Sequence, residues 1–118
     1  METITLEEFI ERLSKYKGDS IVAMLEGNID TEIDMNLSEV NKEDDIIEII
    51  FNKTKRKICG ENLKIDIHQI KNIESDEDTE FYIYLKGGQK IIVFTDTDVW
   101  GNYVISNFIN CTKHAFAY

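Results

Sequence analysis

The N-terminal residues carry the periodicity of an amphipathic helix. Thr5 and Glu8 have the spacing of a capping box, in which each side chain accepts a hydrogen bond from the other residue's backbone N–H. A stripe of apolar residues follows at helical spacing and consists of Leu6, Phe9, Ile10 and Leu13. Gly18 can adopt the left-handed conformation that ends many helices. The pattern therefore predicts a helix over Thr5–Lys17.

Two strand patterns come after this helix. Ile21–Leu25 is a continuous apolar run, which is typical of a strand buried on both faces. Residues 29–37 then alternate between apolar and polar side chains, which is the period of a strand with one buried face. The polar positions of this second strand are Asp30, Glu32, Asp34 and Asn36. An acidic loop, Ser38–Asp45, is expected to join it to a third strand, Ile46–Phe51.

The middle of the chain combines one more strand with two charged stretches. Lys53–Lys57 is a basic cluster and is expected to be a loop that neutralises nearby acids or is solvated. A fourth strand follows, and its alternating apolar positions are Leu63, Ile65 and Ile67. Glu74–Glu80 is expected to form a second acidic loop.

The last part of the chain predicts a hairpin and a closing helix. Phe81–Leu85 and Gln89–Thr95 are strands, and the Gly87-Gly88 pair between them suits a type I′ turn. Asp96 opens a sequence that can cap a helix. Apolar residues recur after it at helical spacing, namely Val99, Trp100, Tyr103, Val104, Phe108 and Ile109.

Together these elements predict a single α+β domain over residues 1–118. An N-terminal helix, about six mostly antiparallel strands and a C-terminal helix make up the fold. The helices are expected to cover a strongly bent sheet or partial barrel. A chain of this length buries a core large enough to need no disulfide or metal for folding.

The charge balance narrows the class of partner. The formal net charge is −10, from 23 acidic and 13 basic residues. A negative field of this size repels nucleic acid and anionic membranes and attracts basic proteins. We therefore expect a basic protein as the partner, with no direct binding to nucleic acid or to a membrane. Solubility alone is the competing explanation of the acidity.

The sequence also bears on location and origin. No apolar run approaches the roughly 20 residues that a membrane helix needs, and no signal-peptide pattern opens the chain. These features predict a cytosolic protein in which Cys59 and Cys111 are free thiols. Ile, Lys and Asn are abundant while Arg and Ala are rare, which matches AT-rich codons and indicates a low-GC bacterium or one of its phages.

The acidic side of the second strand is the leading candidate for a functional surface. Its carboxylates recur about every 7 Å, at twice the strand rise, and they belong to Asp30, Glu32 and Asp34. The adjoining loop adds Glu43, Asp44 and Asp45. Residues 26–48 hold nine acids and one base, a density that costs self-repulsion. The functional interpretation is a carboxylate row that imitates a nucleic-acid backbone and enters a basic groove, and the alternative is an ordinary solvated face.

No other residues have the spacing of a catalytic or metal site. Glu74–Glu80 offers the oxygen ligands that Ca²⁺ or Mg²⁺ prefers, but it lacks the glycine and the closing glutamate of an EF-hand. His68 and His114 lie in no metal-ligand spacing, and neither cysteine belongs to a CxxC pair. Phosphate-binding glycine loops and nucleophile elbows are missing from the sequence. We therefore predict a non-enzymatic protein with no cofactor and no metal.

Two resemblances follow from these patterns. Residues 63–94 run strand, connector, strand, Gly-Gly turn and strand, which resembles a hairpin of bacterial PH-like or Sm-like small barrels. In size, acidity and AT-rich bias the whole chain resembles small acidic phage-encoded inhibitors such as anti-CRISPR proteins. The second resemblance implies an inhibitor that occupies the nucleic-acid-binding groove of a host protein in the bacterial cytosol. The first implies a cytosolic interaction domain that recognises a protein or peptide, and a small metal-dependent hydrolase or nucleotide-binding enzyme is a third alternative.

Overall fold

A computed structural model of the chain describes residues 1–27, 31–52, 61–96 and 98–101, with the backbone alone at 31–35, 52 and 61. The described residues form an α+β fold, and no helix among them is long and apolar enough to cross a membrane. In chain order the elements are β1 (Glu2–Ile4), α1 (Leu6–Ser14), β2 (Ser20–Glu26), β3 (Thr31–Glu43), β4 (Ile46–Asn52), β5 (Glu61–Asp66), the 3₁₀ turn Ile67–Gln69, β6 (Ile70–Asp76), β7 (Glu80–Leu85) and β8 (Lys90–Phe94).

Helix α1 begins as predicted and ends three residues earlier than Lys17. The Thr5 hydroxyl accepts from the Glu8 backbone N–H at 3.1 Å, and the Glu8 carboxylate accepts from the Thr5 N–H at 3.3 Å. This confirms the capping box. The last turn tightens because the N–H groups of residues 15–17 donate to carbonyls three residues back rather than four. Gly18 has the predicted left-handed conformation, with a φ of +93°, but it follows the 3₁₀ turns and is not the residue that ends α1, because the helix is capped at Lys15.

The strands form an eight-stranded antiparallel sheet in the order β1-β6-β7-β8-β2-β3-β4-β5. β2 lies in the middle, paired with β3 on one side and β8 on the other. Ile21, Val22 and Ala23 are all buried although neighbouring side chains point to opposite faces. This confirms the prediction that the apolar run Ile21–Leu25 is a strand covered on both sides.

The sheet is open but strongly curled, as the connection between β5 and β6 requires. Asp66 ends β5 and Ile70 starts β6, so four Cα–Cα steps, at most about 15 Å, join the two strands. In a flat sheet the six inter-strand spacings between these positions would separate them by about 29 Å. The sheet therefore bends until its two sides approach each other, which agrees with the predicted bent sheet or partial barrel.

The concave side of this sheet holds the main core. Apolar residues from all eight strands meet there, and α1 packs into the hollow through Phe9 and Leu13, both fully buried. The Phe9 and Phe81 rings contact edge to face, with centroids 5.5 Å apart. Burial of a side chain of this size stabilises the fold by roughly 1.5–3 kcal/mol.

A smaller apolar cluster occupies the convex side, which we call the outer face. Val22, Ile92 and Phe94 form its buried centre, and Tyr82 and Trp100 pack against it. β8 resembles β2 in being buried on both sides, because Ile91 and Val93 belong to the main core while Ile92 and Phe94 belong to this cluster.

The predicted count of about six strands was too low. β1 is only three residues long and was not predicted at all. β6 occupies residues that were expected to be a connector and the start of the second acidic loop. The predicted loop Ser38–Asp45 was also wrong, because β3 continues to Glu43 and only residues 44 and 45 form the turn.

The hairpin of β7 and β8 is confirmed, but its turn is not the predicted two-glycine type I′ turn. That turn needs a positive φ at both central residues, and Gly88 alone of the pair has one, at +89°. The Gly88 N–H donates to the Leu85 carbonyl at 3.1 Å, which makes Lys86 and Gly87 the central residues. Gly88 then supplies the left-handed residue that leads the chain back into pairing through the Leu85 N–H and the Gln89 carbonyl.

The predicted C-terminal helix is described only at its start. Residues 98–101 are helical, and the Asp96 carboxylate accepts from the backbone N–H of Asp98 at 2.9 Å and of Val99 at 3.4 Å. Asp96 thus caps this helical segment as predicted. The predicted helical positions from Tyr103 to Ile109 lie outside the described residues.

Candidate partner-binding surface

The predicted acidic row is described from Glu32 onward, since Asp30 lies outside the described residues. Strand pairing sets Glu32 opposite Met24 and Asp34 opposite Val22. Met24 and Val22 belong to the outer-face cluster. The row therefore occupies positions registered with the outer face, and the alternation predicted for this strand agrees with the register.

A β-bulge in β3 keeps the acidic row on the outer face beyond Leu37, where the alternation of apolar and polar residues in the sequence ends. The register of β3 against β4 shifts between Leu37 and Glu39, so Ser38 is an extra residue. Because one residue changes the face of every later side chain, Glu39 and Glu43 continue on the outer side while Val40 remains in the core. Glu39 and Glu43 are both exposed.

The acidic tip, as we call it, consists of Glu43 at the end of β3 and of Asp44 and Asp45 in the turn that leads to β4. All three side chains are exposed, and Asp44 has a φ of +53°, in the left-handed region. The Asp45 carboxylate lies 3.3 Å from His68 Nε2, and its backbone carbonyl accepts from the Ile67 N–H at 2.9 Å. The 3₁₀ turn therefore braces one side of the acidic tip.

The predicted site residues form a row along β3 rather than one compact patch. Glu43 follows Asp34 by nine positions, which corresponds to about 30 Å of strand. A partner that contacts both ends must therefore lie along the whole length of β3.

A shallow cleft of about 260 Å³ opens beside the acidic tip on the outer face. The residues that line it are Asn41, Glu43, Asp44, Ile46, Glu48 and Lys64. Ile46 is 37% exposed, which is high for a large apolar side chain in this fold. Glu48 is already engaged, because it accepts from Asn62 at 2.6 Å and lies 3.6 Å from the Lys64 ammonium. The cleft thus offers an apolar side chain flanked by the exposed carboxylates of Glu43 and Asp44.

The second predicted acidic loop has a different character. Glu77 and Asp78 have φ values of +52° and +60°, and the Thr79 N–H donates to the Asp76 carbonyl at 3.0 Å. This is the type I′ geometry that was predicted for the glycine pair, formed here by two acidic residues. Buried Ser75 supports it by donating to the Asp78 carboxylate at 2.6 Å and accepting from the Asp78 N–H at 3.0 Å.

Arg12 ties this turn to the N-terminal elements. Its guanidinium donates to Glu2 of β1 at 3.2 Å, to Glu8 of α1 at 3.0 Å and to Asp78 at 3.4 Å. The contact with Glu8 is an i,i+4 pair within the helix, but no local spacing could predict the contacts with Glu2 and Asp78. The pKa of Glu2 is lowered, first by the Arg12 hydrogen bond and then by its charge.

A carboxylate at the other end of this turn behaves in the opposite way. The pKa of Glu80 is raised, first because the side chain is partly buried and then because Asp76 carries a like charge. Tyr82 Oη donates a hydrogen bond to the Glu80 carboxylate. Glu80 and Tyr82 lie on the outer face of β7, two residues apart.

The remaining predicted candidates give no assembled site. Among the described residues, no three His, Cys, Asp or Glu side chains are arranged to hold a metal ion. His68 contacts the acidic tip, whereas the other candidates lie outside the described residues, namely Lys53–Lys57, Cys59, Cys111 and His114. A polar cleft of about 400 Å³ lies at the end of the sheet near Thr79 and Asp96, and its further lining residues are Tyr16, Asp19, Ser20 and Thr95.

Comparison of the chain with protein-family models, with curated proteins and with solved structures finds no match in any of the three. The surfaces of the molecule itself are therefore what bear on its role. Of these, the outer face of β3, β4 and β5 together with the acidic tip combines exposed carboxylates with an exposed apolar side chain.

Proposed function

We propose that this protein is a non-enzymatic binding protein that docks the outer face of β3–β5 and the acidic tip against a basic protein. Its most specific form is a phage-type inhibitor that occupies a groove in which the partner normally holds nucleic acid. The supporting observation is the bulge at Ser38, which keeps Glu39 and Glu43 on the outer side in line with Glu32 and Asp34. If the strand alternated regularly through Ser38, without the bulge, these two glutamates would face the core.

The shape of the outer face supports the same choice of partner. The sheet curls around the main core, so its outer face is convex. A partner that covers a convex face over the roughly 30 Å from Asp34 to Glu43 must be concave. Grooves that hold nucleic acid are concave and positively charged, because they neutralise phosphates. Charge and shape therefore favour the same kind of partner surface.

The test begins with a partner captured from a bacterial lysate and measures association rates by surface plasmon resonance. The first variant, Glu39→Gln with Glu43→Gln and Asp44→Asn, removes three charges from the proposed surface. The matched control, Glu7→Gln with Glu11→Gln and Asp98→Asn, removes three exposed charges elsewhere. We expect the association rate at 0.1 M salt to fall about tenfold for the first variant and by less than threefold for the control, since steering depends on local charge.

A second variant, Asp30→Asn with Glu32→Gln and Asp34→Asn, tests the other end of the row in the same way. An oligonucleotide that the partner binds should compete with the wild-type chain. Undiminished affinity of both variants, with flat salt dependence up to 1 M, would contradict the proposal. The non-enzymatic assignment is tested separately by titration with Mg²⁺, Mn²⁺, Ca²⁺ and Zn²⁺, where sub-micromolar binding of any ion would favour the enzyme alternative.

The second candidate function is a PH-like or Sm-like interaction domain that recognises a protein or peptide. The curl of the antiparallel sheet favours it, because those domains are small, strongly bent barrels. Such a domain would bind largely through apolar contacts, so its affinity would change little between 0.1 and 1 M salt. The salt dependence of the captured complex therefore discriminates between the two candidates.

A further inference from the structure

Two tyrosines form an aromatic strip on the outer face of β7, away from the acidic tip. Tyr82 and Tyr84 are two residues apart on one strand, and their rings stack with centroids 6.4 Å apart and planes 17° apart. Tyr82 packs against the outer-face cluster, and Tyr84 continues the strip towards the β7–β8 turn. Both side chains are half-buried, so each presents part of its ring at the surface.

The strip already holds one cation of the chain itself. Lys90 Nζ lies 6.0 Å from the centroid of the Tyr82 ring and 3.3 Å from the Glu26 carboxylate. An aromatic face together with a carboxylate is the combination that attracts a desolvated cation. The internal contact shows that the chemistry of this surface suits positively charged groups.

The charges around the strip favour a cationic ligand over an anionic one. Glu74 is opposite Tyr82 on the neighbouring strand, and Asn72 is opposite Tyr84. The acids at outer-face positions of this part of the sheet are Glu26, Glu74, Asp76 and Glu80. They outnumber Lys90 and the two nearby bases, Lys71 beside the bulge of β6 and Lys86 in the β7–β8 turn. An anionic group such as a phosphate would therefore meet repulsion here.

We propose that the outer face of β6, β7 and β8 is a second docking surface, which takes an arginine side chain of a basic protein segment against the ring of Tyr84. A guanidinium is planar and weakly hydrated, so it stacks on a tyrosine ring while donating hydrogen bonds to a carboxylate. Glu74 is the carboxylate that lies diagonally across from Tyr84. The proposal does not depend on the proposed function, because a segment bound here need not touch β3–β5.

The test uses two capped peptides of equal charge, tetra-arginine and tetra-lysine, with NMR titration of the full chain. We expect the arginine peptide to bind at least fivefold more tightly, with the largest shifts at Tyr82, Tyr84 and Glu74. Tyr84→Leu, which removes the ring but keeps apolar bulk, should reduce the arginine preference to about one. Tyr84→Phe, which retains the ring, should preserve it, and Glu74→Gln should weaken the arginine peptide more than the lysine peptide.

Three outcomes would overturn the proposal. Equal affinity for the two peptides would mean that binding depends on charge alone. Shifts centred on Glu39 and Glu43 would place the basic ligand on β3–β5 and leave the proposed function standing while this surface fails. Larger shifts at Tyr84 with adenosine monophosphate than with the arginine peptide would identify a nucleobase platform instead. If Tyr84→Leu lowers the melting temperature, its loss of binding is not used. The proposal is then judged from the positions of the shifts in the wild-type chain and from the arginine preference of Tyr84→Phe.

Discussion

Two acidic turns close hairpins of the same sheet, and they are built in opposite ways. In the β6–β7 turn, Asp78 is engaged by Ser75 and Arg12, and its backbone carbonyl accepts from the Thr95 hydroxyl. In the acidic tip, Asp44 has a similar left-handed φ, but all three tip side chains are exposed. Both turns place an acidic residue in a conformation that L-residues rarely adopt.

The difference shows that composition alone does not reveal what an acidic segment does. The Asp78 carboxylate holds a strained backbone in place by accepting hydrogen bonds from Arg12 and from buried Ser75. In the acidic tip, Asp45 contacts His68 through its carboxylate and Ile67 through its backbone carbonyl. The carboxylates of Glu43 and Asp44 face the solvent beside exposed Ile46. We therefore assign a structural role to the first turn, and the second is the one that carries the proposed partner contact.

The largest expected effect comes from removing the buried support of the β6–β7 turn. Ser75→Ala leaves the Asp78 N–H without its hydroxyl partner and removes one of the two donors to the Asp78 carboxylate, the other being Arg12, and loss of such bonds at a buried site costs about 1–3 kcal/mol. Urea unfolding followed by circular dichroism measures the free energy of unfolding. The control Asp45→Asn at the acidic tip should change it by less than about 0.5 kcal/mol, as exposed surface changes usually do. Equal effects of the two changes would remove the distinction between the turns.

Replacing the left-handed aspartate of each turn by glycine separates the backbone strain of the turn from the contacts of its side chain. Asp44→Gly should raise the free energy of unfolding by about 0.5 kcal/mol, because relief of left-handed strain exceeds the entropy that glycine adds to the unfolded chain. Asp78→Gly relieves the same strain but loses the bonds to Ser75 and Arg12, so it should lower that free energy. Urea titrations of both variants check the opposite signs, and a stabilising Asp78→Gly would contradict the structural role of that side chain.

The pH dependence separates two carboxylates near the β6–β7 turn. The pKa of Glu2 is lowered from 4.5, so its stabilising contact with Arg12 is complete above pH 4.5 and is lost as pH falls through the lower folded value. The pKa of Glu80 is raised from 4.5, so its ionised form opposes folding at neutral pH, and this penalty disappears as pH falls through the raised value towards 4.5.

The two variants Glu2→Gln and Glu80→Gln should therefore change stability in opposite directions at pH 7. The first should lower the melting temperature and the second should raise it. Both differences from wild type should shrink as the pH falls to 3, where the carboxyl groups become protonated. Melting curves between pH 3 and 8 measure this, and changes of the same sign at pH 7 would contradict the assigned causes.

The smallest effect is expected from neutralising the acidic tip and its neighbour. The variant Glu39→Gln, Glu43→Gln and Asp44→Asn should change the free energy of unfolding by less than about 0.5 kcal/mol per site, because these side chains are exposed. Any change should be stabilising and should diminish in 1 M salt, since it comes from relief of repulsion. A large loss of stability would show that the tip has a structural role like that of the other turn.

Local patterns predicted the elements whose signals are complete within a few residues. The capping box of α1, the doubly buried β2 and the hairpin of β7 and β8 are of this kind. β1 escaped prediction because three residues carry no period, and β6 escaped because a bulge at Lys71 interrupts its alternation. The turn types were misassigned because glycine permits a type I′ turn but does not require one.

The candidate surface was predicted only in part for a related reason. The acidic residues were identified from alternation up to Leu37 and from composition after it, but the bulge at Ser38 that aligns the two groups comes from pairing with β4. The contact of Arg12 with Asp78 joins residues 66 positions apart, and no spacing rule reaches that far. The one sequence feature that singled out Arg12 for a special contact is the rarity of arginine, since Arg12 is one of only two arginines in the chain.

The central place of β2 has a consequence for synthesis on the ribosome. β3 can pair with one edge of β2 as soon as Glu43 has emerged from the ribosome. The other edge of β2 stays unpaired until β8 emerges, and β8 begins at Lys90, 47 residues after Glu43. At about 5–20 residues per second this interval is roughly 2–10 s. During that time a strand with apolar side chains on both faces offers an unpaired edge, which is a template for association between nascent chains. We therefore expect the yield of folded protein to depend on how quickly residues 44–94 are translated.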